Sequence, residues 1–409
     1  YKKTVRKISS KRGGCKKEMR TIIESIKATE VIVPSKPDSL NSDSVLDKDE
    51  AFAKKFLTGA SWTEFAIQPK WIIEIVLQNG LIGIGETYRS ASKELIETAI
   101  KTFIGLDILK INWRRLPVTD QRIYEAFETA ILDVLGKILH APVCQILGGA
   151  YRDRIDCLGW TGRRTPEDAA QKAYEAMKKG HKAFKFKCSD EDPVRLWTDE
   201  IKKKCGDGIK IILDPNQRWN NVETTLRLME GVDKNIMLGL EDPIRHEDVE
   251  GFRFLKQNLG IPLYRHISLP YTQNIKDIIA FVRSDAADGY NFNGSAFNSL
   301  LLAEIAHLEG KQCWRGSEVD LGISETMGLH IAAASINCTI PSDIFGELVR
   351  ENDLIKEPIQ FENGSALVPH GEGLGVSLDY SALEKYKTGQ SLVTTYEKNN
   401  YILDTTDRM

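Results

Sequence analysis

The part of the sequence that decides the fold contains three similar stretches, spaced evenly along the chain. They read KAFKFKC at Lys182–Cys188, LDPNQRW at Leu213–Trp219 and LEDPIRH at Leu240–His246. In each one a short apolar run ends in charged or amide residues, which is typical of a buried strand that stops at a polar edge. Amphipathic helical patterns separate the runs, so this region predicts alternating strands and helices around a parallel sheet.

The same alternation extends from about residue 150 to residue 341. Short apolar runs recur there about every 22 to 28 residues, namely IDCLGW, AFKFK, IKIIL, IMLGL, PLYRH, GYNFN, QCW and NCTI. Eight such units predict either a closed barrel or a doubly wound sheet. The barrel is favoured because polar residues follow several different runs, and a barrel gathers those strand ends at one mouth. No GxGxxG motif follows the first run, which argues against an NAD-dependent dehydrogenase.

The regions on either side of this repeat predict an α+β unit. Residues 21–149 combine strand patterns, including two apolar runs around the turn dipeptide Asn79-Gly80, with helical patterns at Ser92–Ile104 and Asp120–Leu139. Residues 342–409 are rich in loops and end in the strand-like SLVTTY, and we expect them to pack back on residues 21–149. Residues 1–20 form a basic tail, and the polar stretch Ser35–Glu50 predicts a loop.

Composition restricts the class of protein. The chain has 409 residues with 42% hydrophobic and 28% charged residues, an ordinary globular balance. A net charge of −3 gives no reason to expect nucleic acid or membrane as a partner. The seven cysteines are scattered without CxxC spacing, which favours a reducing compartment such as the cytoplasm.

Two lysines and two acids at successive strand ends could carry chemistry. Lys185 and Lys187 lie two apart on one predicted strand and therefore point to the same side. Burial and mutual repulsion would lower a lysine pKa, and such an amine can take a proton from carbon. Asp214 and Glu241 end the next two strands and could bind Mg²⁺ together. Alternatively, the lysines lie exposed on an edge strand, Asp214 is part of a turn and Glu241 pairs with a lysine.

These motifs, in this order, resemble the enolase superfamily, in the branch that contains mandelate racemase and muconate lactonizing enzyme. Weaker similarities to the family are found in GIGETY, FETAILDVLGKILHAPVCQILGG and PHGEGLGVSLD, so the resemblance covers about Thr21–Tyr386. It implies a modified (β/α)₇β barrel with a capping domain built from the N-terminal region and the C-terminal segment. It also implies Mg²⁺ bound by Asp214 and Glu241, and Lys187 as the base that takes a proton next to a substrate carboxylate, with Lys185 assisting.

The sequence departs from the family pattern in two places. The family usually supplies a third acidic ligand at the end of the fifth strand, where this chain reads IPLYRHISLP. His266 could replace that acid as a softer ligand, or contact substrate while water completes the shell, or metal binding could be weak. On the opposite face, where relatives carry a His–Asp dyad or a second lysine, this chain has Asn293 on the sixth strand and Gly316 after the seventh.

With one lysine clearly placed, same-face dehydration of an acid sugar or related hydroxy acid is the first expectation. Racemisation, epimerisation or cycloisomerisation of a small carboxylate is the alternative, and a non-catalytic metal- or ligand-binding relative is a third. The side chains expected to meet substrate are Asn216, Arg265, Asn293, Arg315 and Glu318, with Trp160 and Thr161 nearby. Ser35–Glu50 and the region of Trp62 are expected to close over the mouth. The resemblance also suggests a homo-oligomer, either a dimer or an octamer.

Overall fold

The computed structural model describes residues 20–42, 69–272 and 275–396. The first unit of the fold is an antiparallel sheet of β1 (Ile23–Val31), β2 (Lys70–Leu77) and β3 (Ile82–Glu86). Strands β2 and β3 pair as a hairpin around Asn79-Gly80, as predicted, and Gly80 adopts a left-handed φ of 85°. The predicted basic tail at residues 1–20 falls almost wholly outside the described residues, as does Trp62.

Helices α1 (Lys93–Phe103), α2 (Gln121–Leu139) and α3 (Val143–Ile146) follow the hairpin. The side chains of Ser92 and Asp120 accept hydrogen bonds from the first backbone N–H groups of α1 and α2, so these helices begin where the sequence predicts. Helix α2 packs directly on β3 because β3 presents glycine to it. A Cβ atom on Gly85 would lie 1.9 Å from a backbone oxygen of α2.

The second unit is the barrel, and its strands follow one another in chain order. After the short β4 (Arg154–Asp156), the parallel strands are β5 (Gly159–Thr161), β6 (Ala183–Lys187), β7 (Lys210–Asp214), β8 (Met237–Glu241), β9 (Leu263–Ser268), β10 (Gly289–Asn293) and β11 (Gln312–Arg315). The helices between and after them are α4 (Pro166–Lys178), α5 (Val194–Cys205), α6 (Val222–Met229), α7 (Val249–Asn258), α8 (Leu269–Thr272), α9 (Ile275–Arg283), α10 (Ala296–Leu308) and α11 (Gly322–Ala334). A doubly wound sheet would reverse its strand order, and this sheet does not.

An eighth, irregular segment closes the barrel. Cys338 bridges β11 in parallel through Cys313, and Ser342 bridges Cys157 in parallel just before β5. Beyond it, the backbone N–H of Asp343 donates to the carbonyl of Arg315 at 2.9 Å. The predicted (β/α)₇β barrel is therefore confirmed, and the expected domain boundary at residue 341 falls inside this closing segment.

The C-terminal segment contains α12 (Gly346–Val349), β12 (Phe361–Glu362), β13 (Ser365–Leu367), α13 (Tyr380–Tyr386) and β14 (Leu392–Thr395). Strand β13 pairs with β4 at the barrel, whereas β14 adds a fourth strand to the first sheet by pairing with β1. The capping domain is thus completed by both ends of the chain, as the sequence predicts.

Several buried polar side chains join the capping domain to the barrel, among them Glu86, Glu128 and His330. Glu86 accepts hydrogen bonds from Leu321 and Ser324 at the start of α11, and Glu128 accepts from Ala296 at the start of α10. Each glutamate therefore supplies an acceptor to buried N–H groups that have no partner within a barrel helix, at its N-terminus. On α11 itself, His330 accepts from the N–H of Cys144 through Nδ1 and meets the carbonyl of Leu374 with Nε2 at 3.0 Å. Its buried ring therefore links α11 to α3 and to the C-terminal segment.

The six cysteines in the described residues are free and buried. Within the same residues, no helix has both the length and the apolarity that crossing a bilayer requires.

Candidate active site

The two lysines of KAFKFKC both enter the barrel interior from β6. Alternation along the strand turns Phe184 and Phe186 outward, where Phe186 packs against Trp197 of α5 with ring centroids 5.7 Å apart. Lys185 and Lys187 are buried on the opposite side of the strand. The alternative of an exposed edge strand does not apply, because β6 pairs on both sides with β5 and β7.

Both lysines meet the acids that end the next two strands. The Lys187 Nζ lies 2.6 Å from Asp214 Oδ2, and the Lys185 Nζ lies 3.1 Å from the same oxygen. Lys185 also lies 2.6 Å from Glu241 Oε2. Because both carboxylates are within 3.1 Å of one ammonium nitrogen and have no exposed surface, they lie close together at the mouth.

A third carboxylate, Asp343, completes this cluster and is missing from the residues selected by sequence. Its Oδ2 lies 3.0 Å from the Lys185 Nζ and accepts from Asn291 Nδ2 at 3.2 Å. Asn291 also donates to Glu241 Oε1 at 2.8 Å and therefore ties two of the acids together. Asp343 directly follows the eighth segment, so it lies at the end of a barrel segment just as Asp214 and Glu241 do.

The charges of the cluster set its proton affinities. Burial alone would lower the pKa of Lys185, but Asp343, Glu241 and Asp214 raise it well above the usual value. The predicted lowering of the lysine pKa is therefore wrong for Lys185, because three acids surround it. Burial and the negative charge of Asp214 raise the pKa of Glu241 to about 8. For Asp214, burial is outweighed by Lys187 and Lys185, which hold its pKa below the usual range.

Carboxylates and an imidazole are side chains that bind divalent cations, but the described residues contain no group of three His, Cys, Asp or Glu side chains placed to hold one. The acids turn instead toward Lys185. The other oxygen of Glu241, Oε1, faces His266, whose Nδ1 lies 3.8 Å away. Two donors that bind one small cation, each at about 2.1 Å, can be at most about 4.2 Å apart. The Nε2 atom of His266 is buried and has no hydrogen-bond partner. Burial lowers the pKa of this imidazole, which favours the neutral form that binds metals.

The opposite side of the mouth carries an amide and an acid. Asn293 Nδ2 donates to Glu318 Oε1 at 2.8 Å, and Arg89 of the capping domain lies 3.1 Å from Glu318 Oε2. Gly316 cannot be replaced by a larger residue without a shift, since a Cβ atom there would lie 2.1 Å from Asn291 Oδ1. Asn293 and Glu318 thus contact each other, and they lie near His266, because the Nε2 atom of His266 is 4.0 Å from Glu318 Oε1.

Two arginines that the sequence suggested for substrate binding turn away from the cluster. Arg265 alternates with His266 along β9 and lies over the Phe281 ring of α9, with its guanidinium 3.7 Å from the ring centroid. Arg315 pairs with Glu125 of α2 and donates to the carbonyl of Gly294 at 2.9 Å. Both side chains lie on the helix side of the sheet, so neither is part of the proposed site.

The loops that end the strands hold strained backbone. Asn216, Gln217 and Asp242 have φ values of 46°, 69° and 46°, and Val319 has 56°, which is rare for a β-branched residue. Asn216 uses this conformation to accept from Lys187 Nζ through Oδ1 at 2.6 Å. Strain of this kind commonly persists where it positions functional groups.

The described part of the predicted capping loop, residues 35–42, reaches the barrel mouth. The carbonyl of Leu40 accepts from Thr161 Oγ1 at 3.1 Å, and Asp38 pairs with Arg164 at 2.6 Å. Trp160 stacks on Phe345 with ring centroids 4.8 Å apart. Trp160 and Thr161 thus lie among the residues that hold the loop, while residues 43–50 lie outside the described residues.

Comparison with known proteins agrees with this fold. Residues 168–382, more than half of the chain, match the family model described as "Enolase C-terminal domain-like". N-succinyl-L-Arg/Lys racemase of Bacillus cereus is 24% identical over 356 residues, which cover 81% of this chain and 94% of that protein. Muconate cycloisomerase 1 of Acinetobacter baylyi is 25% identical over 351 residues, covering 80% and 94%. L-Ala-D/L-Glu epimerase of Clostridium acetobutylicum is 24% identical over 326 residues, covering 75% and 90%.

Solved structures show the same architecture. The Bacillus cereus racemase superposes with a TM-score of 0.75 at 20% identity, covering 91% of this chain and all of that one. The 2-chloromuconate cycloisomerase of Rhodococcus opacus 1CP also gives 0.75, at 22% identity, covering 90% and 100%. At such identities these superpositions establish the fold alone. The family model, which spans more than half of the chain, shows that this chain belongs to the enolase superfamily, in the mandelate racemase and muconate lactonizing enzyme branch.

Proposed function

We propose that this protein moves a proton at the carbon next to a substrate carboxylate, with Lys187 as the acid–base group and a divalent cation beside it. The observation that carries the proposal is the contact between the Lys187 Nζ and Asp214 Oδ2 at 2.6 Å, in a cluster that Lys185 joins to Glu241. It places an amine beside two clustered acids that could hold a cation. A small carboxylate is therefore the proposed substrate class.

Each group of the cluster has a defined task in this proposal. Asp214 and Glu241, with His266, would hold the cation, which supplies stabilisation for the negative charge that develops on the substrate carboxylate. Lys187 takes the proton, and Asn216 fixes its direction through the 2.6 Å hydrogen bond. Lys185, held by Asp343, stays charged and offers a cationic contact to the substrate carboxylate. The capping loop at residues 35–42 helps to exclude water.

The side chains on the two sides of the barrel mouth favour a reaction in which protons are transferred on only one face of the substrate. Racemisation by two groups requires a second proton carrier opposite Lys187, and the side chains there are Asn293 and Glu318. Asn293 does not titrate, and Glu318 is already paired with Arg89. Cycloisomerisation needs one proton transfer, and the muconate cycloisomerases among the relatives bear that reaction in their names. We therefore propose an isomerase that works from the Lys187 face.

Dehydration of an acid sugar remains the second candidate, because Lys187 could also return its proton to a leaving hydroxide on the same face. The relatives favour the isomerase over this lyase reaction. The homo-oligomer expected from the resemblance stays a prediction.

Exchange of substrate hydrogen in deuterated water tests the proposal. Metal-loaded protein is incubated with N-succinyl amino acids, an Ala-Glu dipeptide, muconate and acid sugars, and NMR follows deuterium at the α-carbon. We expect incorporation on one face with at least one compound, and loss of at least a hundredfold in the exchange rate for Lys187→Met. Lys182→Met is the matched control, because Lys182 is exposed and pairs with Asp156 away from the mouth.

The outcomes separate the candidates. Deuterium with loss of water identifies a dehydratase, and deuterium at both configurations identifies a racemase or epimerase. Exchange that survives in Lys187→Met would contradict the role of Lys187. Metal binding without exchange on any compound would favour the non-catalytic relative.

A further inference from the structure

The last residue of β10 places a carboxamide on the side of the barrel opposite Lys187. Strands β6 and β10 are the second and the sixth of the eight segments that follow one another around the barrel, so their ends face each other across the mouth. Asn291 and Asn293 lie two apart on β10 and point to the same side. Because Asn291 contacts Glu241 in the barrel interior, Asn293 also points inward, closer to the mouth.

The hydrogen bond to Glu318 fixes how this carboxamide is turned. Glu318 pairs with Arg89 at 3.1 Å, so its carboxylate is an acceptor, and the atom that meets its Oε1 at 2.8 Å is the amide nitrogen of Asn293. The amide oxygen, Oδ1, is therefore the atom left for another partner. Among the described residues, this oxygen has no hydrogen-bond partner, although the residue is only 2% exposed.

A buried acceptor without a donor costs free energy, which a ligand that brings a donor would recover. The charges nearby decide what kind of ligand group fits. A second substrate carboxylate would meet both the amide oxygen of Asn293 and the carboxylate of Glu318, and both repel an anion. A hydroxyl or amide N–H group would donate to Asn293 Oδ1 without that repulsion.

We propose that Asn293 Oδ1 accepts a hydrogen bond from the substrate, and that the substrate is a carboxylate with a hydroxyl or amide N–H group on the side away from Lys187. The inference rests on the proposed function, because Lys187 defines where the reacting carbon lies. It narrows the small carboxylates to hydroxy acids and N-acyl amino acids, and it excludes muconate, which has neither donor.

Ligand pairs that differ by one methyl group test the inference through binding. N-acetylalanine is compared with N-acetyl-N-methylalanine, and lactate with O-methyllactate, and NMR titration of the wild type gives the dissociation constant of each compound. We expect the parent of at least one pair to bind at least about tenfold more tightly than its methylated form, which leaves the acceptor unpaired. The pair with the larger ratio shows whether the donor is an amide or a hydroxyl. Equal affinities within both pairs, or no binding of either parent, would overturn the inference.

Two variants separate hydrogen bonding from steric exclusion. Asn293→Leu has a side chain of about the same size without the acceptor, so the preference for the parent should disappear. Asn293→Asp keeps an oxygen acceptor but loses the N–H that meets Glu318, so the preference should persist. Asn258→Leu is the matched control, because Asn258 is exposed at the end of α7, which leads to the start of β9 and thus lies away from the mouth.

Each result with the variants decides the inference. A preference that survives in Asn293→Leu would be steric, and a preference lost in both variants would belong to the contact with Glu318, so either result would overturn the inference. Circular dichroism shows whether each variant is folded, and the wild-type ratios decide where a variant is not.

The hydrogen-exchange experiment separates this inference from the proposed function. A preference that depends on Asn293 in a protein that exchanges no substrate hydrogen would uphold the inference while the proposed function fails. Exchange into muconate that requires Lys187 would overturn the inference and leave the proposed function intact.

Discussion

The ion pair between Arg315 and Glu125 joins the barrel to the capping domain, and removing the arginine should cost stability rather than substrate affinity. Both side chains are buried, and Arg315 also donates to Gly294. Removing one partner of a buried pair typically costs about 3–5 kcal/mol because the other charge is left uncompensated. We therefore expect Arg315→Met to lower the free energy of unfolding by about 4 kcal/mol, out of a total of about 5–15 kcal/mol for a typical domain.

The pH dependence of that loss has a definite sign. Burial raises the pKa of Glu125 above the usual value, and Arg315 is the main group that opposes the rise. An acid whose pKa is raised by folding destabilises the fold increasingly as the pH rises above its unfolded value of about 4.5. Without Arg315 the rise becomes larger, so the deficit of Arg315→Met should be smaller at pH 5 than at pH 8. The double variant Glu125→Gln/Arg315→Met should recover part of the loss at pH 8.

Urea unfolding followed by circular dichroism at both pH values measures these differences. Arg154→Met is the matched control, because its partners Asp153 and Glu362 are exposed at 3.8 Å and 3.7 Å, and such pairs contribute at most about 1 kcal/mol. A cost below about 1 kcal/mol for Arg315→Met, together with weaker substrate binding, would refute the structural role and restore the role first expected from the sequence.

Three further predictions concern other parts of the structure. Burial lowers the pKa of His330 to about 4, so stability is full above pH 6.5 and falls by up to about 3 kcal/mol as the pH drops toward 4. In urea unfolding, the free energy of unfolding of His330→Gln should fall less steeply between pH 6.5 and pH 4 than that of the wild type. Equal slopes in the two proteins would contradict this role of His330. Gly85→Ala should lower the free energy of unfolding by about 3 kcal/mol, because its Cβ would meet the α2 backbone. Gly389→Ala, with open space around it, should change the free energy of unfolding by less than about 0.5 kcal/mol. Gly316→Ala should displace Asn291 and weaken metal binding about tenfold in titrations, and unchanged affinity would show that Asn291 does not position Glu241.

The sequence predicted the parts of the fold and site that depend on local pattern. The spacing of apolar runs predicted the barrel, and alternation along AFKFK placed Lys185 and Lys187 on one side, where the structure has them. Asp214 and Glu241 followed from their positions at strand ends, and the structure brings them together around Lys185.

The parts that the sequence did not predict depend on neighbours distant in the chain. The pKa of Lys185 is raised by acids from three different strand ends, one of which, Asp343, comes 158 residues later. The charges of Arg265 and Arg315 suggest substrate binding, but alternation along the strands from His266 and Trp314 directs both side chains outward. Asp343 lies beyond the domain boundary that the sequence predicts at residue 341, yet it directly follows the segment that closes the barrel.

The shared cation between Asp214 and Glu241 is the central claim, and calorimetric titration of a divalent metal tests it most directly. We predict that the wild type binds one ion per chain and that Asp214→Asn and Glu241→Gln each weaken that binding at least about a hundredfold, since each removes a charged ligand. Binding that keeps its affinity in either variant would mean that the two acids do not share an ion, and the proposed chemistry would fail with it.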